Sequence, residues 1–241
     1  MIRSVLVISL TLLYILVVGT PYLIYTVLSG DTDRIYRAGV LGAKLAVRLA
    51  GVRVEARGEE NIPARRAAIY MVNHQSNCDP PVVVGLLPPV LILIKEEFFR
   101  VPVLGRGMRL RGFIPVDRKR RGRSIHAIKH ATESVKAGHS FLVFPEGTRS
   151  EDGRLLPFRK GVFVMAIESG APIVPVSISG SRRIMPKGSF SMHSGVVRVI
   201  FHEAVETRGS SLDDLPEILC RVRQAILAGL APEERPLGAA A

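Results

Sequence analysis

From Ser4 to Leu28 the chain carries no charged side chain, and this run constrains its folding more than any other stretch. It is longer than the ~20 apolar residues a helix needs to cross a bilayer core. A cleaved leader would have a shorter apolar stretch ending in a small-x-small site, whereas Tyr22, Leu23, Ile24 and Tyr25 carry this one onward. The segment is therefore expected to remain as an anchor. Pro21 lacks an amide hydrogen and is expected to kink or break the helix, so a segment that dips into one leaflet stands beside one that spans. Ser29-Gly30-Asp31 reads as a turn. Arg34, Arg37, Lys44 and Arg48 then fall on one helical face, with Ile35, Val40, Leu41, Leu45 and Leu49 over much of the rest. Such a basic, apolar helix suits the interface of an anionic membrane; the alternative is a core helix with a solvated basic edge. The two segments predict an N-terminal membrane-associated helical hairpin over 1–50.

After Gly51 the rhythm changes. Short β-rich runs at 52–57, 67–72, 90–94, 112–116, 141–144, 173–178 and 196–202 alternate with helical stretches at 80–87, 103–110, 124–136, 160–169 and 212–227. That alternation predicts an α/β domain over 51–230 with a mixed, largely parallel sheet flanked by helices, followed by a loose tail over 231–241.

The net charge of +12 points to polyanions, either nucleic acid or an anionic membrane face. With no Trp, 6% aromatic residues and no reader motif, a nucleic-acid partner is not expected. Cys78 and Cys220 are the only cysteines, too few for a disulfide framework. No zinc-type spacing of Cys and His occurs, so no metal is expected.

Two strings carry chemistry. In Asn73-His74-Gln75-Ser76-Asn77-Cys78-Asp79, the histidine follows a β-like run and the aspartate precedes Pro80-Pro81, which marks a helix start with Asp79 as cap. In a strand-to-helix loop Asp79 would bond one imidazole nitrogen of His74 and raise the basicity of the other. Equally, His74 would be a loop residue beside a cap. The second string, Phe144-Pro145-Glu146-Gly147-Thr148-Arg149-Ser150, ends a buried-strand run in a turn. Glu146, Gly147, Thr148 and Arg149 would emerge at a strand terminus, where open α/β sheets hold ligands. Arg149 is equipped to grip a phosphate through two parallel bonds, while a surface turn with a local salt bridge is the plainer account. Between them lies Gly112-Phe113-Ile114-Pro115-Val116-Asp117-Arg118. From Lys95 to Arg123 there are ten Lys or Arg against three Asp or Glu, and Lys95 and Arg118, at expected strand ends, are the better ligand candidates.

These blocks, with Ala171-Pro172-Ile173-Val174-Pro175-Val176 as a fourth, resemble in order and spacing those of the glycerolipid acyltransferases, most closely the 1-acylglycerol-3-phosphate acyltransferases. The resemblance runs from about Ile69 to Val176. It implies that 51–230 is a catalytic domain in which His74 and Asp79 act as base and orienter. Lys95, Arg118 and Arg149 would bind the phosphate of lysophosphatidate, and Glu146 would order the loop or contact the glycerol. The acyl donor would be a thioester of coenzyme A or of acyl carrier protein, with no cofactor. Another acceptor, such as lyso-ornithine lipid, and a non-catalytic membrane-surface or polyanion-binding protein are the alternatives. A Cys78 nucleophile would be a different mechanism, and no Gly-x-Ser-x-Gly elbow supports a serine hydrolase. The basic domain after the anchor places the catalytic part on the cytoplasmic face of the cell membrane, against anionic lipids.

Overall fold

The structure, a computed structural model, describes residues 2–117 and 121–237. Its elements run α1 (Ile2–Tyr14), a π-helical turn (Ile15–Gly19), α2 (Thr20–Ser29), α3 (Asp33–Leu49), β1 (Val52–Arg57), β2 (Ile69–Val72), α4 (Asp79–Val84), β3 (Val90–Lys95), α5 (Leu104–Arg111), β4 (Ile114–Val116), α6 (Arg121–Lys136), β5 (Ser140–Val143), α7 (Gly161–Ser169), β6 (Ile173–Ser179), α8 (Ser181–Ile184), β7 (Gly195–Phe201) and α9 (Leu215–Ala228). Each expected strand has its counterpart. The fourth begins two residues later than expected, because Gly112 at φ +91° closes α5 in the left-handed region before the chain can extend.

The strands form one sheet in the order β1-β7-β6-β2-β5-β3-β4. β6, β2, β5, β3 and β4 run parallel, β7 is antiparallel to β6, and β1 is parallel to β7. The carboxyl ends of five adjacent strands therefore meet along one edge. The sheet is covered on both faces, which is why its central strands are apolar throughout instead of alternating. Ile69, Tyr70, Met71 and Val72 of β2 are all fully buried. One face packs on α6, α7 and α9 through Ala131, Phe163, Val222 and Ile226; the other packs on α4 and the N-terminal region through Val82, Val83, Ala50 and Val7.

Residues 2–29 form a continuous helical run, long and apolar enough to cross a membrane. Pro21 does not break it. The wider π turn just before α2 accommodates the amide that proline lacks, and the helix resumes. The run lies along the domain instead of standing away from it. Ser4 Oγ accepts the Met192 amide at 2.8 Å, Val7 is in the core, and the Tyr14 hydroxyl bonds the Ala38 carbonyl of α3 at 2.9 Å. Gly42 of α3 lets the two arms of the hairpin approach closely, since a Cβ there would lie 2.6 Å from the Tyr14 ring. Outward, Leu6, Leu13, Leu16, Val17, Ile24 and Leu28 are exposed, as are Arg34, Arg37, Lys44 and Arg48 of α3.

Over 231–237 the tail differs from the loose segment expected, and 238–241 lie outside the described residues. Pro232–Glu234 forms a 3-10 turn, and Glu234 is buried with its main-chain carbonyl accepting the Leu155 amide at 3.0 Å. Long-range hydrogen bonds anchor it, and these leave no trace in local composition.

Candidate active site

The chain leaves β2 at Asn73, whose side-chain amide closes the sheet edge. Its Nδ2 donates to the Ile178 carbonyl at 2.8 Å and its Oδ1 accepts the Ile178 amide at 2.7 Å. His74 follows, 8% exposed, its ring stacked on Phe144 with centroids 4.0 Å apart. His74 Nδ1 lies 2.8 Å from Asp79 Oδ2, and the same oxygen accepts the Gln75 and Ser76 amides at 2.7 Å each. Asp79 is wholly buried.

The expected cap role of Asp79 is corrected here. Cys78 occupies the cap position without a capping bond from its side chain, and Asp79 is the first helical residue. Pro80 and Pro81 offer no amide hydrogens, so the carboxylate turns back to the donors of the 74–76 loop. An ionised carboxylate only accepts, so Nδ1 is the protonated nitrogen of the neutral ring and Nε2 carries the lone pair. No described residue bonds Nε2. The pair is thus a base held in one tautomer.

The loop after β5 is clamped to that pair. Phe144 to Gly147 form a turn closed by the Gly147 amide on the Phe144 carbonyl at 3.0 Å. Gly147 has φ +72°, and a Cβ there would come within 2.5 Å of Arg159 Nε, so the turn requires glycine. Glu146, 3% exposed, faces inward. Its Oε1 accepts the His74 amide at 2.6 Å and its Oε2 accepts the Leu156 amide at 2.8 Å. Both oxygens are engaged by main chain, which ties the two loops together. Burial pushes its carboxyl up to about 7, opposed by those two amide bonds. The Ser150 amide donates to the His74 carbonyl at 2.9 Å, so the second loop holds the main chain of His74 on both sides.

Thr148 and Arg149 are half-buried, and Arg149 Nη1 is buried without a partner among the described residues. Lys95 ends β3 at the same sheet edge, half-exposed and paired with Glu97 at 2.9 Å. Arg118 lies outside the described residues. The structure therefore brings His74, Asp79 and Glu146 into contact and sets Lys95, Gly147, Thr148 and Arg149 on the same edge.

Three contributors carried no usable sequence signal. Gln75 Nε2 donates to the Gly153 carbonyl at 3.0 Å. Arg159 reaches the Glu146 carbonyl from Nε at 3.4 Å and borders an apolar cavity of about 210 Å³ beside Phe144, Leu93 and Val143. Arg223 of α9 donates to the Leu156 carbonyl at 2.7 Å. All three are distant in sequence from the groups they hold, and only the fold joins them.

Cys78 is no nucleophile in this setting: burial, with the neighbouring Asp79 charge, pushes its thiol up to about 12. Among the described residues, no three His, Cys, Asp or Glu are grouped to hold a metal ion.

The acyltransferase family profile matches residues 53–179, which takes in both clamped loops. The chloroplastic 1-acyl-sn-glycerol-3-phosphate acyltransferase of Brassica napus is 38% identical over 64% of this chain and 45% of its own, so the chain spans about half the length of that relative. The 1-acyl-sn-glycerol-3-phosphate acyltransferase of Limnanthes alba is 32% identical over 80% of this chain and 69% of its own. Among solved structures, the 1-acyl-sn-glycerophosphate acyltransferase of Thermotoga maritima matches with a TM-score of 0.75 at 30% identity, covering 94% of this chain and 95% of that one.

Proposed function

The chain belongs to the acyltransferase family, and from that premise we propose that it moves an acyl group from a thioester to the sn-2 hydroxyl of lysophosphatidate, giving phosphatidate. The observation that carries this reading is the geometry of His74: Nδ1 fixed on Asp79 at 2.8 Å, Nε2 unbonded at the carboxyl edge of the sheet. Nε2 takes the hydroxyl proton as the acceptor oxygen attacks the thioester carbonyl. Asp79 stabilises the imidazolium that forms. The tetrahedral adduct collapses, the carbon–sulfur bond breaks, and the imidazolium returns its proton to the departing thiolate. Ester and free thiol are the products, with no covalent enzyme intermediate and no metal or cofactor needed, because a thiolate leaves readily. General-base assistance of this kind contributes roughly 10²–10⁴ in rate.

Arg149, with one buried nitrogen unpaired, is suited to the acceptor's phosphate, and Lys95 adds charge at the rim. The apolar cavity beside Phe144 offers room for part of an acyl chain next to the base. The helix over 2–29 is flanked by the domain along much of a length of roughly 42 Å, so its exposed apolar strip suits one leaflet better than a crossing. We place the hairpin in the cytoplasmic leaflet of the cell membrane, with the basic face of α3 at anionic headgroups.

The test is acyl transfer by purified protein, with lysophosphatidate compared against lysophosphatidylcholine and lyso-ornithine lipid, each with acyl-coenzyme A and with acyl carrier protein thioesters. Lysophosphatidate should be the preferred acceptor. Transfer to none of these acceptors, or near-full activity in His74→Ala, would overturn the reading.

A further inference from the structure

The amides of Leu155 and Leu156 are adjacent, yet they are taken by opposite parts of the chain. The Leu156 amide goes to Glu146, whose other oxygen holds the His74 amide. The Leu155 amide goes to the main-chain carbonyl of Glu234 at 3.0 Å. The side chain of Glu234, 7% exposed, accepts the Gly180 amide at 2.8 Å and the Ala231 amide at 3.3 Å. Gly180 follows the carboxyl end of β6, two residues past Ile178, whose main chain is bracketed by Asn73. Glu234 thus meets the His74 loop by two routes: through Leu155, Leu156 and Glu146 on one side, and through Gly180, Ile178 and Asn73 on the other.

We propose that Glu234 is a positioning residue for His74, fixing the 153–156 segment against the end of β6 so that Glu146 and Asn73 hold the histidine loop at one spacing. A carboxylate that only capped the 232–234 turn would need the Ala231 amide alone and would sit in solvent. Here the shorter bond is to Gly180, and the carboxylate is buried. Its neighbour Glu233 shows the ordinary case, an exposed partner of Arg183 at 3.0 Å. Displacing a catalytic group by about 1 Å from a distance costs up to ~10²-fold in rate, while substrate contacts stay in place. The signature of Glu234 is therefore a loss in kcat with KM held.

The activity arm of the test rests on the acyltransferase reading; the exchange arm does not. Full-length Glu234→Ala, Glu234→Gln and Glu233→Ala are compared with wild type for kcat, for KM of lysophosphatidate and of the thioester, and for amide exchange at Leu155, Leu156 and Tyr70. Glu234→Ala should lose roughly 10- to 100-fold in kcat with both KM values within about twofold. Leu155 and Leu156 should exchange faster while Tyr70, in the centre of the sheet, stays slow. Glu234→Gln keeps an acceptor for Gly180 and should recover most of kcat, and Glu233→Ala should behave as wild type. Wild-type kcat in Glu234→Ala, or a loss matched by faster exchange at Tyr70, would overturn the proposal. If wild-type protein transfers no acyl group, the acyltransferase reading fails by itself. Leu156 exchange then decides the positioning: unchanged in Glu234→Ala, it refutes the coupling; faster with Tyr70 slow, it supports it.

Discussion

Asp79 and Glu146 are both buried carboxylates, both accept main-chain amides, and both hold His74, but they hold different parts of it. Asp79 gathers the imidazole Nδ1 and two amides on a single oxygen, only five residues along the chain. Glu146 spreads its bonds over both oxygens, to the His74 and Leu156 amides, from another strand. The first sets which ring nitrogen is basic, and the second sets where the ring stands. Local sequence supplies the electronic control, and the parallel sheet supplies the positional control by delivering β2 and β5 to the same edge.

That division is broken most severely at His74. His74→Ala should lower transfer by roughly 10²–10⁴, with membrane association and fold intact by sedimentation and circular dichroism. Asp79→Ala should come close to that loss, because the tautomer and the imidazolium lose their partner. Glu146→Ala should act through placement alone, cutting kcat by about 10- to 100-fold with smaller changes in KM. An equal fall in apparent acceptor affinity would move Glu146 from support to substrate contact.

Glu146 also predicts a pH dependence that sharpens the contrast. Its carboxyl is raised from the ordinary 4.5 to about 7, chiefly by burial. Between those two values the folded chain keeps a proton that the unfolded chain has released. Stability from this group is therefore full below about 4.5 and is lost as pH rises through about 7. Urea midpoints at pH 5 and pH 8 should show wild type losing more on the alkaline side than Glu146→Gln does. The same wild-type-to-variant difference at both pH values would refute the shift.

How much of this was legible before folding follows the same line. Strands such as 90–94 and 141–144 announced themselves because parallel strands covered on both faces are apolar throughout, and His74 and Asp79 were close enough in sequence for their pairing to be argued from one loop. The bonds of Asp79 to the Gln75 and Ser76 amides, in place of a cap on α4, were not, because they depend on two prolines withholding donors. Nor was the clamp of Glu146 and Ser150 on the His74 main chain, since backbone bonds between distant loops impose no pattern on residue type. Pro21 does not break the helix for a related reason: a π turn absorbs a defect that composition alone presents as a break.

The smallest effect should come from Lys95 at the rim, where the comparison passes from the carboxylates to the cations. Arg149 and Lys95 share the sheet edge, but Arg149 is half-buried with a buried nitrogen that no described residue pairs, while Lys95 is half-exposed and already paired with Glu97. A charged hydrogen bond formed out of water contributes about 1.5–3 kcal/mol. Arg149→Ala should therefore raise KM for lysophosphatidate by roughly 10- to 100-fold while kcat changes little. An exposed pair contributes about 0.2–1 kcal/mol and is screened by salt. Lys95→Ala should raise the same KM by no more than about fivefold, and 0.5 M salt should erase much of the difference, since the Debye length falls from about 10 Å at 0.1 M to about 3 Å at 1 M. If Lys95→Ala proved the larger and salt-insensitive loss, the phosphate would sit over β3 instead of over the Phe144–Ser150 loop. Charge on β3, and not the Arg149 guanidinium, would then select the acceptor.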